Sequence, residues 1–509
     1  MEDEWTVDAN EAVNISLVRP TSTGLEAIAS FKPRFTHAIF GEEERIFGYQ
    51  GLEINLKYDS RDLRPNLTFS LARKFDTVDD IEAVDIKEEL MKYLPAVAFQ
   101  SKREYERSLN AVPDHWTPPG LPLKTMVKDG EVYEIWCGKL NDPAVKQLVK
   151  RIQIAVLFFI DGGSYIGEDA EGKEDPEYSL ARWSVLFVYK KDTSQGAYPQ
   201  YTFQGYATVY NFWMLDKNYS MNSKAEIDDQ FLSVQNSPVE KLPHRQRISQ
   251  FLILPPFQGK GLGTFLYDTI FTVSHSSSST REITVEDPNE DFDLLRDLCD
   301  LKYLREHVPE FDFLEINSNV ELPAKGGVLK FNTRVAWRGK HREVVETKDG
   351  IVDLKKLEGI RVQSKIAPRQ FSRLVEMHLM SKLPESVRPQ SDPDIKKPAA
   401  SKADKHTHTL WRLLVKQRVY RRNVDVLGQL ESHLRIPKLN ETVDNVEWEY
   451  ARILDRLSSK SSDSCTFSDI FGRDDYSANE PIVNQSKRKL NGDAEAESSR
   501  KKARVWDGQ

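Results

Sequence analysis

Residues 250–264 read QFLILPPFQGKGLGT, and this stretch decides the architecture around it. An apolar run of β character breaks at Pro255 and Pro256, passes through a loop bearing Gly259, Gly261 and Gly263, and opens a helix near Leu262. Glycine has no Cβ, so such a loop turns sharply and brings its N–H groups close to a guest, while the helix adds the positive end of its dipole. Together these predict a seat for a phosphate-bearing ligand.

Spacing discriminates among the ligands that glycine loops serve. A nucleoside-triphosphate loop needs G-x-x-x-x-G-K followed by Ser or Thr, and no lysine here fits. A dinucleotide loop needs G-x-G-x-x-G, whereas Gly263 comes one position early and Thr264 stands where the last glycine belongs. Glu286 lies at the distance a ribose-binding acid would have, but the upstream strands read as an antiparallel meander and not as the start of a βαβ unit, so this nicotinamide reading ranks lower. The run Gln258-Gly259-Lys260-Gly261-Leu262-Gly263 resembles the Q/R-x-x-G-x-G/A pyrophosphate loop of the GNAT superfamily of N-acetyltransferases, which implies acetyl-coenzyme A.

The 509 residues are 39% hydrophobic and 29% charged with a net charge of -8, enough chain for two or three domains with cores of their own. No apolar run reaches membrane-spanning length, and the start MEDEW is acidic where a signal or transit peptide is basic, so no membrane association is expected. Cys137, Cys299 and Cys465 are too few and too scattered for a disulfide framework or a zinc site. His406 and His408 fall in a polar linker without metal-ligand spacing, and no metal is expected.

Alternation over 35–58 predicts strands joined at an acidic turn holding Glu42, Glu43 and Glu44. Residues 145–160 read as a buried helix stopped at Asp161-Gly162-Gly163. Strand signals follow at 183–189, 201–213 and 247–254, interrupted by a polar insertion over 216–245. After the glycine loop come a helix to about 273, a serine turn over 274–279, a strand at 282–285 closed by Glu286-Asp287-Pro288, and a helix over 291–304 that Asn289 or Asp291 can cap. Amphipathic spacing predicts helices at 368–383 and 410–434, with a disordered excursion over 384–409 and a disordered tail from 458. Two basic clusters in that tail, Lys487-Arg488-Lys489 and Arg500-Lys501-Lys502, are spaced as in a bipartite nuclear import signal.

Five stretches in order (FTHAIFGEEERIFGYQGL, TVYNFW, RISQFLILPPFQGKGLG, ITVEDPN and KIAPRQF) resemble the catalytic subunit of a type B histone acetyltransferase of fungal kind, over about residues 1–455. The resemblance implies an α/β (α+β) fold. Its mixed, mostly antiparallel acetyltransferase sheet is flanked by helices over 141–312, between an N-terminal mixed domain (1–140) and a C-terminal helical domain (313–457) with the insert 384–409, followed by the tail 458–509. It further implies acetylation of newly made histones, chiefly lysines of the H-four tail with or without its histone partner, a WD-repeat histone chaperone as partner, and residence in nucleus and cytoplasm with roles reaching DNA repair and telomeric silencing. Nucleic acid is not an expected ligand, because the chain is acidic and its basic groups concentrate in the tail.

A lysine amine with pKa near ~10.4 is almost wholly protonated at neutral pH, a deficit of about 4.6 kcal/mol, so a base must act before attack on a thioester. By resemblance Glu286 leads as general base. Asp287 is placed to assist it, and Asp161 is a third candidate standing where similar proteins carry glutamate. Backbone groups of Phe251, Leu252 and Ile253 are expected to pair with the pantetheine arm as an added strand and to hold the thioester oxygen. Gln258, Gly259, Lys260, Gly261, Leu262, Gly263 and Thr264 are expected to hold the pyrophosphate, with Asn289 as a further contact. For the basic histone tail, resemblance points to Glu42, Glu43 and Glu44 on one wall and Tyr210, Asn211 and Phe212 on the other. No cysteine is needed, so direct transfer in a ternary complex is expected. An acyltransferase for another amine, or a scaffold that keeps the fold without catalysis, are the alternatives.

Overall fold

The computed structural model describes residues 3–78, 81–169, 171–194, 198–214, 242–322, 335–338, 341–344, 350–390 and 396–458. The insertion 216–245 lies outside them up to residue 241, as do the tail 459–509 and its two basic clusters.

A four-stranded sheet forms first, from β1 (Val13–Thr21), β2 (Gly24–Phe31), β3 (Glu53–Asp59) and β4 (Pro65–Ser70), in the order β2-β1-β3-β4. Its β1 and β3 run parallel, so the chain between them must cross over. That crossover begins with the short helix α1 (His37–Phe40) and the acidic turn after it. Residues 37–40 were expected in a strand. Helix forms there because Thr36 and His37 donate their N–H groups to the Glu44 carboxylate, which closes the segment on itself.

The main sheet holds six strands: β5 (Leu121–Lys128), β6 (Glu131–Lys139), β7 (Trp183–Asp192), β8 (Gln200–Trp213), β9 (His244–Ile253) and β10 (Thr280–Val285). They lie in sequence order, antiparallel except for the parallel pair β9–β10. The meander and its mostly antiparallel character were legible in the sequence. The β5–β6 hairpin was not anticipated, and it means that the sheet begins at residue 121, within the stretch assigned to the N-terminal domain. Asp129 and Gly130 form its turn with φ of 52° and 78°, the left-handed pair that tight hairpins require.

Between β6 and β7 the expected single helix is two, α2 (Pro143–Ile152) and α3 (Ile154–Phe159), divided at Gln153. Asp142 caps α2 by accepting from Ala144 and Val145. Helix α4 (Leu262–Ser276) begins where the glycine loop ends and runs through part of the expected serine turn. Helix α5 (Glu290–His307) is capped by Asn289 Oδ1, which accepts from Phe292 N at 2.8 Å.

The two sheets are locked by buried polar contacts. Arg151 of α2 donates to Asp62 O at 2.7 Å and pairs with its carboxylate at 2.9 Å, Tyr189 Oη donates to Arg61 O, and Phe203 N to Ser60 O. Beyond residue 350 the described chain is helical: α6 (Leu354–Ser364), α7 (Pro368–Ser381), α8 (Lys402–Arg422) and α9 (Ser432–Ser458), with a short turn of helix at 424–429. Helix α8 starts well before residue 410, correcting the disordered reading of 402–409. Ser401 and Asp404 form a reciprocal capping box that starts it. His406 and His408 therefore sit on a helix and not in a linker, and His408 Nε2 lies 2.9 Å from Glu447. Trp411 is fully buried and donates to Glu376 O, while Arg373 pairs with Asp297 at 2.6 Å, joining the helical layer to α5. Ile283 N donates to Lys365 O, which seats the layer against β10.

Candidate active site

The register of β8 on β9 slips where Ser249 and Gln250 together oppose Thr208. This bulge bends β9, and β10 pairs with it only from His244 to Ile248. Beyond that point the two parallel strands part, because β10 ends at Val285 while β9 continues to Ile253. Among the described residues no strand pairs with Phe251, Leu252 and Ile253 on the side facing away from β8. Their backbone is an edge to which an amide-bearing chain can add as a strand.

That edge runs directly into the glycine loop. Gln258 Nε2 donates to Ile253 O at 2.8 Å and ties the loop back to the strand. Gly259 and Gly261 both take φ of 77°, where a Cβ would be strained. Helix α4 has no side-chain cap, so the first-turn amides of Leu262, Gly263 and Thr264 lack intrahelical acceptors. Lys260 is exposed, and its carbonyl accepts from Lys128 Nζ at 3.1 Å. A strand edge leading to uncapped amides at a helix N-terminus fits a ligand made of an amide-bearing arm and a pyrophosphate. The side chain of Phe251 is half-buried, with its ring 4.9 Å from Phe292, and the backbone edge lies beside this aromatic pair. Asn289 Oδ1 is already occupied as the α5 cap, which leaves its Nδ2 as the part that can reach a ligand.

At the fork between β9 and β10 stands Glu286. Its N–H donates to Ile248 O at 2.9 Å, and its carboxylate accepts from Ser249 Oγ and pairs with Arg247 at 3.0 Å, with 41% of the side chain exposed. The next residue, Asp287, has φ of 31°, an uncommon value for a side-chain-bearing residue, and is exposed. Asp161 follows α3 and is 64% exposed, its carboxylate 3.8 Å from His37 Nε2. The other nitrogen of His37 lies 3.7 Å from Glu44. Backbone donors Arg34 and Phe35 both reach Phe158 O at 3.0 Å, which brings the α1 segment alongside α3 and hence Glu44 near Asp161.

The three glutamates of the acidic turn differ. Burial works against the charge of Glu44, but the amides of Thr36 and His37 and the side chain of Asn10 hold its carboxyl below the usual range. Its oxygens are thus committed inside the protein, whereas Glu42 and Glu43 are exposed.

The aromatic stretch divides as well. Tyr210 and Phe212 share one face of β8, their rings 4.6 Å apart, and Arg182 stacks on Tyr210 at 4.6 Å and on Trp213 at 4.4 Å. Asn211 projects to the opposite face, as strand alternation demands, and its Oδ1 accepts from Gln246 at 3.1 Å. Tyr210 lies opposite Arg247 and Arg247 opposite Thr284, so Tyr210, Phe212, Arg247 and Glu286 occupy a single face. The sequence reading missed Arg247 and Ser249, although both lie in the quoted stretch RISQFLILPPFQGKGLG; only the β9–β10 register brings them to Glu286.

Residues 5–161 match the family described as histone acetyl transferase HAT1 N-terminus, and residues 342–384 match that described as fungal HAT1, C-terminal. A histone acetyltransferase type B catalytic subunit of Gibberella zeae is 44% identical over 100% of both chains. Proteins of the same description from Pyricularia oryzae (43%, covering 99% of each chain) and Neurospora crassa (40%, covering 100% of this chain and 99% of the other) are also similar. With identity at this level over essentially the full length of both chains, the chain belongs to the family of histone acetyltransferase type B catalytic subunits.

Proposed function

We propose that this protein transfers the acetyl group of acetyl-coenzyme A to lysine side chains of newly made histones, chiefly on the H-four tail. One observation carries the reading: the Glu286 carboxylate stands at the fork where β9 offers an unpaired edge leading to the uncapped N-terminus of α4. Acetyl-coenzyme A bound along that edge would supply an acetyl group activated as a thioester. Phe251, Leu252 and Ile253 would pair with its amide arm, and the loop from Gln258 to Thr264 would cradle its pyrophosphate.

The protein's own task is to make the lysine nucleophilic. Glu286 takes the ammonium proton, and the freed amine then attacks the thioester carbonyl, leaving the coenzyme thiol. The Ser249 hydroxyl holds the Glu286 carboxylate in place. Backbone N–H groups of the Phe251–Ile253 edge would meet the oxygen that gains charge. Exposed Glu42 and Glu43 would attract the basic tail, Glu44 would shape the turn that presents them, and Tyr210 with Phe212 would flank the lysine stem. Asp161, exposed and linked to the turn through His37, would add its charge to that attraction. A WD-repeat histone chaperone as partner, and nuclear import through the two basic tail clusters, complete the proposal.

The test is acetylation of an H-four tail peptide, read by mass spectrometry, beside polyamines as competing substrates. Glu286→Gln should lower kcat by about a hundredfold or more while leaving the KM for acetyl-coenzyme A within about twofold. Unchanged turnover across pH would remove Glu286 as the base. Equal use of polyamines would favour an acyltransferase of broader range, and protection from proteolysis by NAD but not by acetyl-coenzyme A would overturn the ligand.

A further inference from the structure

Among the described residues, Arg247 is the one cation seen to touch both halves of the proposed lysine site. Its guanidinium pairs with Glu286 at 3.0 Å and lies 4.5 Å from the Phe212 ring centroid. A substrate ammonium would seek the same two partners, a carboxylate and an aromatic face. From this coincidence we infer that Arg247 occupies the seat of the substrate's cationic side chain in the free enzyme, and that the incoming lysine displaces it. The inference rests on the reading of Glu286 as the base.

Arg247 is held in the manner of a replaceable occupant. Its contact with Glu286 runs through one nitrogen, its Nε is buried without a hydrogen-bond partner, and 34% of the side chain is exposed. Arg61, by contrast, grips Asp59 through two nitrogens, Nε at 3.0 Å and Nη2 at 2.8 Å. Nearby Arg182, stacked on Tyr210 and Trp213, also donates to Asn211 O at 2.9 Å and is better fixed.

Exchange of one cation for another leaves the charge of the site balanced. The ammonium then lies against Glu286, its proton passes to the carboxylate, and Arg247 remains protonated throughout. A neutral side chain cannot replace the guanidinium at the carboxylate, so only a cationic side chain completes the exchange and competes with Arg247 for Glu286. Arg247 is therefore a positioning residue that acts through Glu286.

Peptide binding tests this without turnover. Full-length enzyme saturated with free coenzyme A is titrated with an H-four tail peptide carrying lysine, and with the same peptide carrying norleucine at that position. Arg247→Met should tighten the lysine peptide about tenfold and leave the norleucine peptide within about twofold. Arg247→Lys, which keeps the charge on a shorter stem, should tighten the lysine peptide only a few-fold and serves if the methionine variant fails to fold. Equal shifts for both peptides, or weaker binding of the lysine peptide, would overturn the proposal.

The two readings fail separately. If Glu286 is not the base, Glu286→Gln keeps turnover whatever Arg247→Met does to binding. If Arg247 is only a strut, Glu286→Gln loses turnover while Arg247→Met moves both peptides alike.

Discussion

Gly261 shows how much a single backbone angle carries in this fold. Its φ of 77° lets the chain leave the loop and enter α4 within one residue, as the left-handed N-cap of that helix. An alanine there would cost about 1–2 kcal/mol of backbone strain, relieved by tilting the first-turn amides that would face the pyrophosphate. Gly261→Ala should therefore raise the KM for acetyl-coenzyme A about tenfold or more while changing the KM for the peptide little. Initial-rate kinetics with each substrate varied in turn checks this, and a rise confined to the peptide KM would contradict it. Glu286 and Arg247 carry the complementary lesson. They lie 39 positions apart, and only the parallel register of β9 on β10 makes them partners, so no motif spacing could have paired them.

At the scale of elements, the packing of α4, α5 and α7 encloses a carboxyl group that titrates late. Burial pushes Asp300 up to about 7 from an ordinary 3.8, against the pull of the Arg296 charge and hydrogen bonds from Tyr267 at 2.8 Å and Gln370 at 3.2 Å. The folded state thus keeps a proton that the unfolded chain gives up. The stability this contributes is complete below about pH 4 and is lost as pH rises through about 7, with a slope of at most about 1.4 kcal/mol per pH unit. Asp300→Asn should flatten the fall in melting temperature between about pH 5 and 8 relative to the unaltered protein, as thermal unfolding at several pH values would show; parallel profiles would refute it. Elements were legible where local chemistry specifies them. The run from Gln250 to Thr264 holds strand, prolines, glycines and helix start in fifteen consecutive letters, and Asn289 caps α5 as its position suggests. The β5–β6 hairpin escaped although Asp129-Gly130 is a hairpin signal, because the exposed, lysine-bearing β5 lacks clean alternation. Helix α8 was begun too late because composition outweighed the Ser401–Asp404 capping box. The acidic turn looked uniform in sequence, yet Glu44 faces inward, where its carboxylate accepts from the Thr36 and His37 amides.

For the molecule as a whole, the candidate site is a composite. The acidic turn comes from the crossover of the first sheet, the aromatic face and fork from the main sheet, and Asp161 from the segment after α3, with Phe158 and His37 tying the acidic turn to that segment. A chain of net charge -8 that exposes Glu42 and Glu43, the proposed wall for the substrate, should draw in a basic histone tail before any close contact forms. Such attraction weakens as salt shortens the Debye length from about 10 Å at 0.1 M to about 3 Å at 1 M. Raising sodium chloride from about 0.05 to 0.3 M should therefore lower kcat/KM for an H-four tail peptide by about fivefold or more, with kcat and the KM for acetyl-coenzyme A much less affected. Replacing both exposed carboxylates, Glu42→Gln with Glu43→Gln, should lower the low-salt value and flatten the salt dependence. The same pair of changes should leave the melting temperature nearly unaltered, because neither side chain is buried. A salt slope identical in the double variant would place the attraction elsewhere on the surface. A slope that survives there but disappears in Glu286→Gln would instead locate it at the reaction centre itself.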